Sequence, residues 1–362
     1  MKMDLPQRMK GAMLIGPEKI EICEVPVPDP APGEILLSIE AATTCGTDVK
    51  VFRRGGHPRM LKTPTLFGHE VAGRIAKCGV GVSGFVVGDP VVVANSAPCL
   101  DCIYCKLERE NLCEDLQYLN GAYAEFILVP KRFVERNTHV IPKGLSFARA
   151  ALSEPLACVL HGIDACDFAR YGVAVETIIY GGGPIGLLFA AALVRTGHRV
   201  ILADPNPERL KVASKMGAAE TILIERGGGQ AAKVKIATNG GKGAWVAIDA
   251  TGQPEVWVDA IASVRSGGLV NLFGGCDPGK SIPLDTGLLH YSEITIKGVY
   301  HHRPETIRRA LTLLSDPSFK VDPLLSCELP IEMVEEALRS MMRKETLKVV
   351  IGKGKNSQAR EG

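Results

Sequence analysis

The sequence has almost no excess of one charge and no long apolar run, and these two absences exclude several classes of protein. The net charge is only +2, from 42 Lys and Arg against 40 Asp and Glu, and both signs are dispersed. Without a basic stripe or an acidic tail, we expect neither a nucleic-acid partner nor a strongly charged partner. No stretch of eighteen apolar residues occurs, so no membrane-spanning helix is predicted.

Aromatic residues are also scarce, at 5% of the chain, so the mixture of aromatic and basic side chains typical of nucleic-acid surfaces is missing. The first residues contain no long apolar segment, which predicts no signal peptide and favours a cytoplasmic location. In that reducing compartment we expect the eleven cysteines to be buried side chains or metal ligands rather than disulfides.

Four cysteines form a dense cluster. Cys99, Cys102, Cys105 and Cys113 follow the pattern C-x2-C-x2-C-x7-C. Four thiolates so close in sequence can surround one tetrahedral zinc ion and leave no position open for a substrate. We therefore predict a structural zinc in a lobe over residues 96–115. A zinc-ribbon protein that binds nucleic acid would carry a similar cluster, but the near-neutral charge argues against that class.

The pattern of apolar and turn residues changes near residue 150. A chain of 362 residues is long enough for two domains. Before that point, short apolar runs separated by turn residues predict a β-rich domain, with strands over 34–39, 71–76 and 90–94. After it, strands alternate with helices, which predicts a doubly wound parallel sheet. The strands expected there are 177–180, 199–203, 220–224, 245–250, 268–273 and 294–299, with helices over 185–196 and 207–216.

The junction and the end of the chain differ from both patterns. Residues 148–169 are rich in Ala and Leu but contain Pro155, which predicts two short helices or one kinked helix. Near the end, helices are expected over 304–314 and 333–342. A closing strand over 347–351 could rejoin the first domain.

A glycine motif opens the helix expected at 185–196. Gly181, Gly183 and Gly186 form G-x-G-x-x-G directly after a predicted strand. In a dinucleotide-binding fold, the first glycine permits a tight turn, the second admits the pyrophosphate, and the third allows close packing of helix on strand. The phosphates then lie at a helix N-terminus. A plain structural turn between strand and helix is the alternative.

Asp204 ends the next predicted strand, eighteen residues after Gly186. A carboxylate at this position accepts hydrogen bonds from the adenosine ribose, and it would repel a 2′-phosphate. The sequence therefore favours NAD over NADP. Arg209 is a reservation, because its guanidinium could partly offset the repulsion.

A second group of metal-binding side chains is spread over the β-rich part. It comprises Cys45, His69 and Glu70, with Glu154 at the junction, and this mixture of sulfur, nitrogen and oxygen suits a zinc ion with an exchangeable position. Such a zinc would lower the pKa of a bound alcohol. Thr47, two residues after Cys45, could carry the released proton, because a hydroxyl both accepts and donates.

In order and spacing, these motifs resemble the zinc-containing medium-chain dehydrogenase/reductase superfamily, close to its sorbitol (polyol) dehydrogenase branch. The resemblance covers nearly the whole chain. It rests on Cys45-Gly-Thr-Asp, Gly68-His-Glu-Val-Ala-Gly, the four-cysteine lobe, Glu154-Pro-Leu, the glycine motif and Asp249-Ala-Thr-Gly.

The resemblance implies a two-domain α/β protein. A GroES-like catalytic domain would span residues 1–158, a Rossmann NAD-binding domain 159–300, and residues 301–362 would return to the catalytic domain. It also implies Cys45 and His69 as catalytic zinc ligands, with Glu70 and Glu154 as direct or water-bridged partners, and a homodimer or homotetramer. Further cofactor contacts are implied for Pro184, Ile185, Leu272, Phe273, Gly274, Val299 and Tyr300.

Two positions depart from the family pattern. Many relatives carry His where this chain has Lys50, and that His completes a proton relay to solvent, so the relay route is open here. Relatives often have Ala in place of Gly182, a change expected to be neutral. Two further residues are candidates for substrate contacts: His57 in a loop near the expected cleft, and His301 after the strand at 294–299.

Together these features predict a zinc-dependent enzyme that oxidises a secondary alcohol of a polyol or sugar-like substrate to a ketone and reduces NAD+. Oxidation of a 3-hydroxy amino acid, as by threonine dehydrogenase, is an alternative. It is less favoured, because such relatives usually carry a His just before the cysteine lobe and residues 93–98 contain none. A cyclitol substrate also remains open. A catalytically dead relative is disfavoured by the intact set Cys45, Thr47, His69 and Glu154.

Overall fold

The computed structural model describes residues 5–352, which group into two compact units. Residues 5–157, 303–316 and 325–352 form the first unit, and residues 158–302 and 317–324 form the second. No helix in this described range is both long and apolar enough to cross a membrane.

The first unit is built mainly from short strands. Its N-terminal part contains β1 (Arg8–Gly16), β2 (Lys19–Pro26), β3 (Ile35–Thr43), α1 (Gly46–Arg54), β4 (Thr65–Leu66), β5 (Glu70–Cys78), β6 (Pro90–Val93), β7 (Ser96–Ala97), α2 (Ile103–Lys106), β8 (Gln117–Tyr118), β9 (Phe126–Val129), α3 (Lys131–Asn137), β10 (Thr138–Val140) and α4 (Phe147–Ala150).

The helix α5 (Ser153–Asp164) runs from the first unit into the second. The Ala- and Leu-rich junction thus forms two helices, one of the two expected outcomes. Pro155 lies in the first turn of α5, where no intrahelical partner is needed for its missing N–H, so the helix is not kinked there.

The second unit alternates strands and helices, as the sequence predicts. Its elements are β11 (Glu176–Tyr180), α6 (Pro184–Arg195), β12 (Arg199–Asp204), α7 (Pro207–Lys215), β13 (Glu220–Leu223), α8 (Ala231–Ile236), β14 (Ala244–Asp249), α9 (Pro254–Ser263), β15 (Val264–Leu272), α10 (Thr286–Tyr291) and β16 (Thr295–Gly298). The six strands form one parallel sheet in the order β13-β12-β11-β14-β15-β16.

The chain then returns to the first unit. The elements of this part are α11 (Pro304–Leu314), β17 (Leu325–Pro330), α12 (Val334–Met342) and β18 (Lys348–Gly352). Strand β18 pairs antiparallel with β3, with Val350 opposite Thr43, so the last described strand enters the sheet formed by the early strands. That sheet has the order β10-β6-β5-β3-β18-β17, with β9 also paired to β3.

Each unit has its own apolar core. In the first, Leu37, Val71 and Phe133 are fully or almost fully buried between the strands and the helices that cover them. In the second, Ile178, Ile201 and Ala247 come from neighbouring parallel strands, which read as nearly continuous apolar runs because both faces of the sheet are covered. The predicted fold class, a GroES-like β-rich part with a Rossmann-type parallel sheet, is confirmed.

Candidate functional site

Cys45, His69 and Glu70 come together in the first unit, and their ligand atoms all lie within 4.8 Å of one another. Cys45 is the N-cap of α1, and its sulfur accepts a hydrogen bond from the N–H of Thr47 at 3.4 Å. His69 and Glu70 come at the start of β5, where Glu70 lies opposite Thr43 of β3. The helix start and the strand start therefore bring a sulfur, a nitrogen and an oxygen donor to one point.

Asp48 holds the side chain of His69 and the backbone of Cys45. Its Oδ1 lies 2.8 Å from Nδ1 of His69, and its Oδ2 accepts a hydrogen bond from the N–H of Cys45 at 3.1 Å. Burial alone would lower the pKa of His69, but the charge of Asp48 outweighs it and raises the pKa well above its ordinary value. Because Nδ1 is held by Asp48, Nε2 is the ring nitrogen left for a metal.

Glu70 is fully buried and is paired with a cation from the end of the chain. Its Oε2 accepts a hydrogen bond from Nζ of Lys348 at 2.5 Å and another from the hydroxyl of Thr43. Nζ of Lys348 also donates to the carbonyl oxygen of Thr44 at 2.7 Å. Among residues 5–352, no group donates to Oε1 of Glu70, although that atom is buried. A zinc ion would satisfy this orphaned oxygen, so the donor set fits the metal.

Lys348 lies among several negative groups. Burial alone would lower the pKa of its ammonium, but the surrounding charges outweigh burial and raise this pKa above its ordinary value. The groups responsible are Glu70, Cys45 and Glu154. Glu154 is buried in the first turn of α5 and is close enough to act on Lys348, but it is outside the group formed by Cys45, His69 and Glu70 in the described chain.

The four cysteines of the lobe also converge, and their sulfurs lie within 4.8 Å of one another. The sulfur of Cys105 lies 3.9 Å from that of Cys99 and 3.6 Å from that of Cys102. With Zn–S bonds of about 2.3 Å, sulfurs at the corners of a tetrahedron are roughly 3.8 Å apart, so the lobe fits a zinc ion. Backbone N–H groups help to hold the cluster: those of Cys99 and Cys102 donate to the sulfurs of Cys113 and Cys99, at 3.2 and 3.3 Å.

The glycine motif of the second unit lies between β11 and α6. Gly181 has a φ of +104°, which favours glycine, and Gly183 is the N-cap of α6. A Cβ atom on Gly186 would lie 1.8 Å from the carbonyl oxygen of Gly181, so only glycine allows this close packing. Pro184 and Ile185 form the first helical turn. The resulting loop and helix N-terminus fit a dinucleotide phosphate.

Asp204 ends β12 and is almost fully buried beside this loop. Its Oδ2 accepts a hydrogen bond from the N–H of Gly182 at 2.6 Å, and its Oδ1 accepts one from the N–H of Asn206 at 2.7 Å. A Cβ atom on Gly182 would lie 3.0 Å from Cβ of Arg209 and 3.3 Å from Cβ of Asp204. An alanine there would require Arg209 and Asp204 to shift by a few tenths of an ångström, and the neutral effect of this difference stays a prediction.

The other expected cofactor residues lie at the same edge of the sheet. Register pairs Tyr180 with Asp249, Asp249 with Leu272, and Leu272 with Gly298, so the carboxyl ends of these strands are level. The residues that follow β15 and β16 at this edge are Phe273, Gly274, Val299 and Tyr300. This edge is where parallel α/β sheets bind their ligands.

The two candidate substrate histidines have local roles in the structure. Nδ1 of His57 accepts hydrogen bonds from the N–H groups of Arg59 and Met60, at 3.2 and 3.1 Å, which stabilise its own loop. His301 has a φ of +63°, and its carbonyl oxygen lies 2.8 Å from Nδ1 of His161. Neither contact indicates a substrate.

Comparison with known proteins agrees with this geometry. The alcohol dehydrogenase GroES-like domain family matches residues 31–141, and the zinc-binding dehydrogenase family matches residues 184–316. Sorbitol dehydrogenase of Bacillus subtilis (strain 168) is 32% identical over 356 residues, which cover 96% of this chain and 98% of that protein. The chain belongs to the zinc-binding alcohol dehydrogenase family. It is an oxidoreductase, and the family resemblance read from its motifs is confirmed.

Two further relatives of this zinc-binding dehydrogenase differ in their named activities. L-threonine 3-dehydrogenase of Pyrococcus furiosus is 31% identical over 96% of this chain and 99% of that protein. The structure of alcohol dehydrogenase TADH from Thermus sp. ATN1 superposes with a TM-score of 0.85 at 26% identity, covering 95% of this chain and 99% of that one. Polyol, hydroxy amino acid and alcohol enzymes are thus similar to this chain, and the family alone does not select a substrate.

The sequence predicts no role for three residues that matter to the site: Asp48, Tyr123 and Lys348. Asp48 had a local signal, because it lies three residues after Cys45, at the position where an acidic side chain completes a helix capping box. Lys348 and Tyr123 had none, since they reach the site through strand pairing and loop packing far along the chain.

Proposed function

We propose that this enzyme oxidises a secondary alcohol of a polyol or sugar-like substrate to a ketone, with transfer of hydride to NAD+ and release of one proton. The observation that carries the proposal is the convergence of half-buried Cys45 with buried His69 and Glu70, in which one carboxylate oxygen of Glu70 has no hydrogen-bond partner among the described residues. A polar, carboxylate-containing metal site favours a polyhydroxylated substrate over a small apolar alcohol.

A catalytic zinc would be held by Cys45, Nε2 of His69 and Oε1 of Glu70, with Glu154 as a further direct or water-bridged partner. When bound, it would act as a Lewis acid on the substrate oxygen. A second zinc would be held by Cys99, Cys102, Cys105 and Cys113 and would stiffen the lobe. We propose the domain bounds 1–158, 159–300 and 301–362, and a homodimer or homotetramer in the cytoplasm.

Thr47 is the residue proposed to move the proton. Its N–H is tied to the sulfur of Cys45, so its backbone is fixed two residues from a ligand, and its side chain is half-buried. A hydroxyl can accept the substrate proton while donating its own. Lys50 is exposed on the same helix, and an ammonium has no lone pair with which to accept a proton. The proton would therefore leave through Thr47, a cofactor ribose hydroxyl and water.

For the cofactor, we propose NAD+ bound at the carboxyl edge of the parallel sheet. The phosphates would lie against Gly181, Gly183 and Gly186 with Pro184 and Ile185, and Asp204 would accept from the adenosine ribose. Arg209 would lie beside the ribose. Contacts from the neighbouring strand ends would come from Leu272, Phe273, Gly274, Val299 and Tyr300, and His57 or His301 would contact the substrate.

Oxidation of a 3-hydroxy amino acid is the second candidate, because the threonine dehydrogenase of Pyrococcus furiosus is nearly as similar as the sorbitol dehydrogenase. The test is a panel of polyols, cyclitols and 3-hydroxy amino acids, each with NAD+ and NADP+, followed by absorbance of the reduced nicotinamide. The proposal expects the highest kcat/KM on a polyol with NAD+. Highest kcat/KM on L-threonine would replace it with the second candidate, and turnover by a Cys45→Ser variant would contradict both.

A further inference from the structure

Tyr123 is a fully buried residue beside the metal-binding set. Its N–H donates to the carbonyl oxygen of Phe67 at 2.8 Å, and its own carbonyl oxygen accepts from the N–H of Ala12 at 2.8 Å. Its ring lies against Gly68, where φ is +90° and a Cβ atom would come within 2.8 Å of the ring carbons. The backbone and the ring are therefore held in place next to the residue that precedes His69.

The hydroxyl of Tyr123 is directed at a single carboxylate. It donates to Oδ2 of Asp48 at 2.5 Å, while the carbonyl oxygen of Thr43 lies farther away at 3.4 Å. Burial, and then the charge of Asp48, raises the pKa of Tyr123 well above its ordinary value. The phenol thus keeps its proton and acts as a donor to the carboxylate.

Asp48 in turn contacts two members of the metal-binding set, Cys45 and His69. Its Oδ2 accepts hydrogen bonds from the backbone N–H of Cys45 and from the hydroxyl of Tyr123, and its Oδ1 is paired with Nδ1 of His69. The carboxylate is 1% exposed, so water cannot replace a lost donor without opening the core. Removal of the tyrosine hydroxyl would leave Oδ2 with only the longer, 3.1 Å bond from the backbone N–H of Cys45, so the orientation of the carboxylate would be held less tightly.

We propose that Tyr123 is a positioning residue of the catalytic zinc centre, which fixes the Asp48 carboxylate and through it the ring of His69 and the backbone of Cys45. The proposal rests on the proposed function, since it takes these residues to be zinc ligands. It adds a third layer to the site: the ligands, the carboxylate that orients them, and a phenol that orients the carboxylate.

The test is Tyr123→Phe in the full-length, zinc-loaded protein, mixed with an excess of a chromophoric zinc chelator. Outer partners of metal ligands typically contribute about 10–100-fold to metal affinity. We therefore expect zinc to leave the Cys45 site about 10–100 times faster than in the wild type. The rate of zinc release from the four-cysteine lobe should be unchanged, and an unchanged rate also shows that the first unit is folded. The Cys45→Ser variant shows which kinetic phase belongs to which zinc, because it should lack the phase of the Cys45 site.

Tyr180→Phe is a matched control. Tyr180 is fully buried in the second unit, and its hydroxyl makes an equally short hydrogen bond, 2.5 Å to the hydroxyl of Ser263. Removal of that hydroxyl also costs a buried hydrogen bond, but it should leave both phases of zinc release at the wild-type rate. Faster release in both variants would mean a general loss of stability and would overturn the inference.

A double-mutant cycle separates positioning from simple packing. If Tyr123 acts through Asp48, then Tyr123→Phe should add little to the zinc release rate of Asp48→Asn, because the carboxylate is already gone. Multiplicative effects of the two changes would overturn the inference, as would wild-type release from Tyr123→Phe alone. A wild-type protein that binds no zinc through Cys45 would instead overturn the proposed function, and the inference with it.

Discussion

Lys348 and Glu70 form a fully buried ion pair, with Nζ 2.5 Å from Oε2, although 278 residues separate them in sequence. The pairing of β18 with β3 brings them together, because Val350 lies opposite Thr43, and Thr43 lies opposite Glu70 on β5. Side chains two residues apart on a strand share a face, so Lys348 faces the same side as Val350. One carboxylate oxygen is thereby neutralised, while the other has no donor among residues 5–352.

Lys348→Met should destabilise the metal-free protein strongly. Loss of one partner from a buried ion pair leaves an uncompensated charge, which typically costs about 3–5 kcal/mol. The measurement is urea unfolding in the presence of a chelator. Lys77→Met is the matched control, because Lys77 pairs with Asp29 at the surface, where such pairs contribute about 0–1 kcal/mol. If both variants lose a similar amount of unfolding free energy, the buried ion pair is worth no more than the surface pair. Adding Glu70→Gln to Lys348→Met removes the unpaired charge and should recover part of the lost unfolding free energy.

Metal analysis should return two zinc ions per chain in protein purified without chelator. Cys99→Ser should lose the lobe zinc and mainly reduce stability or assembly, whereas Cys45→Ser should lose the other zinc and abolish turnover. Cys23→Ser is the control, since Cys23 lies on β2 outside both groups and should keep both ions and full activity. One zinc ion or none per wild-type chain would contradict the prediction of two metal sites.

Asp204→Ser should narrow the preference for NAD+ over NADP+, with Arg209 left in place. A like charge next to a phosphate costs several kcal/mol, so removal should shift the ratio of kcat/KM for the two cofactors by at least about tenfold. Glu208→Gln removes a charge from the first turn of the neighbouring helix, where Glu208 is exposed and paired with Lys211, and should leave the ratio unchanged. Equal use of both cofactors by the wild type would show that Asp204 does not select.

Thr47→Val should slow alcohol oxidation by roughly 10²–10⁴-fold, the contribution typical of a group that transfers a proton in the transition state. Lys50→Met, on the same helix, should have a small effect. Both variants should retain zinc, which metal analysis checks. If Lys50→Met is as damaging as Thr47→Val, the route through water is wrong and Lys50 belongs to the relay.

Local patterns predicted most elements of the fold. The helix expected over 304–314 is Pro304–Leu314, and the strand expected over 177–180 is Glu176–Tyr180. The strand expected over 268–273 begins earlier, at Val264, because the pair Gly267 and Gly268 looks like a turn in sequence but lies within an irregular strand with a shifted register. Apolar periodicity, proline and glycine carry such local information, and they carry none about which distant strands will pair.

The same limit applies to the candidate site. Cys45, His69, Glu70 and the four cysteines could be found because their spacing in sequence is itself chemical information. The partners that complete the site, Tyr123 and Lys348, could not, because they belong to the site only after β18 and the loop before β9 have packed. A buried Lys has the same sequence signature as a surface Lys until its strand is placed.

The late position of β18 also sets an order of events during synthesis. Lys348 leaves the ribosome 278 residues after Glu70. The parallel sheet of the second unit is complete in sequence by residue 298, so it can fold first, as domains do during translation. Until β18 has been synthesised and has paired with β3, Lys348 cannot neutralise Glu70, so the sheet of the first unit is completed only after the chain of the second unit has been made.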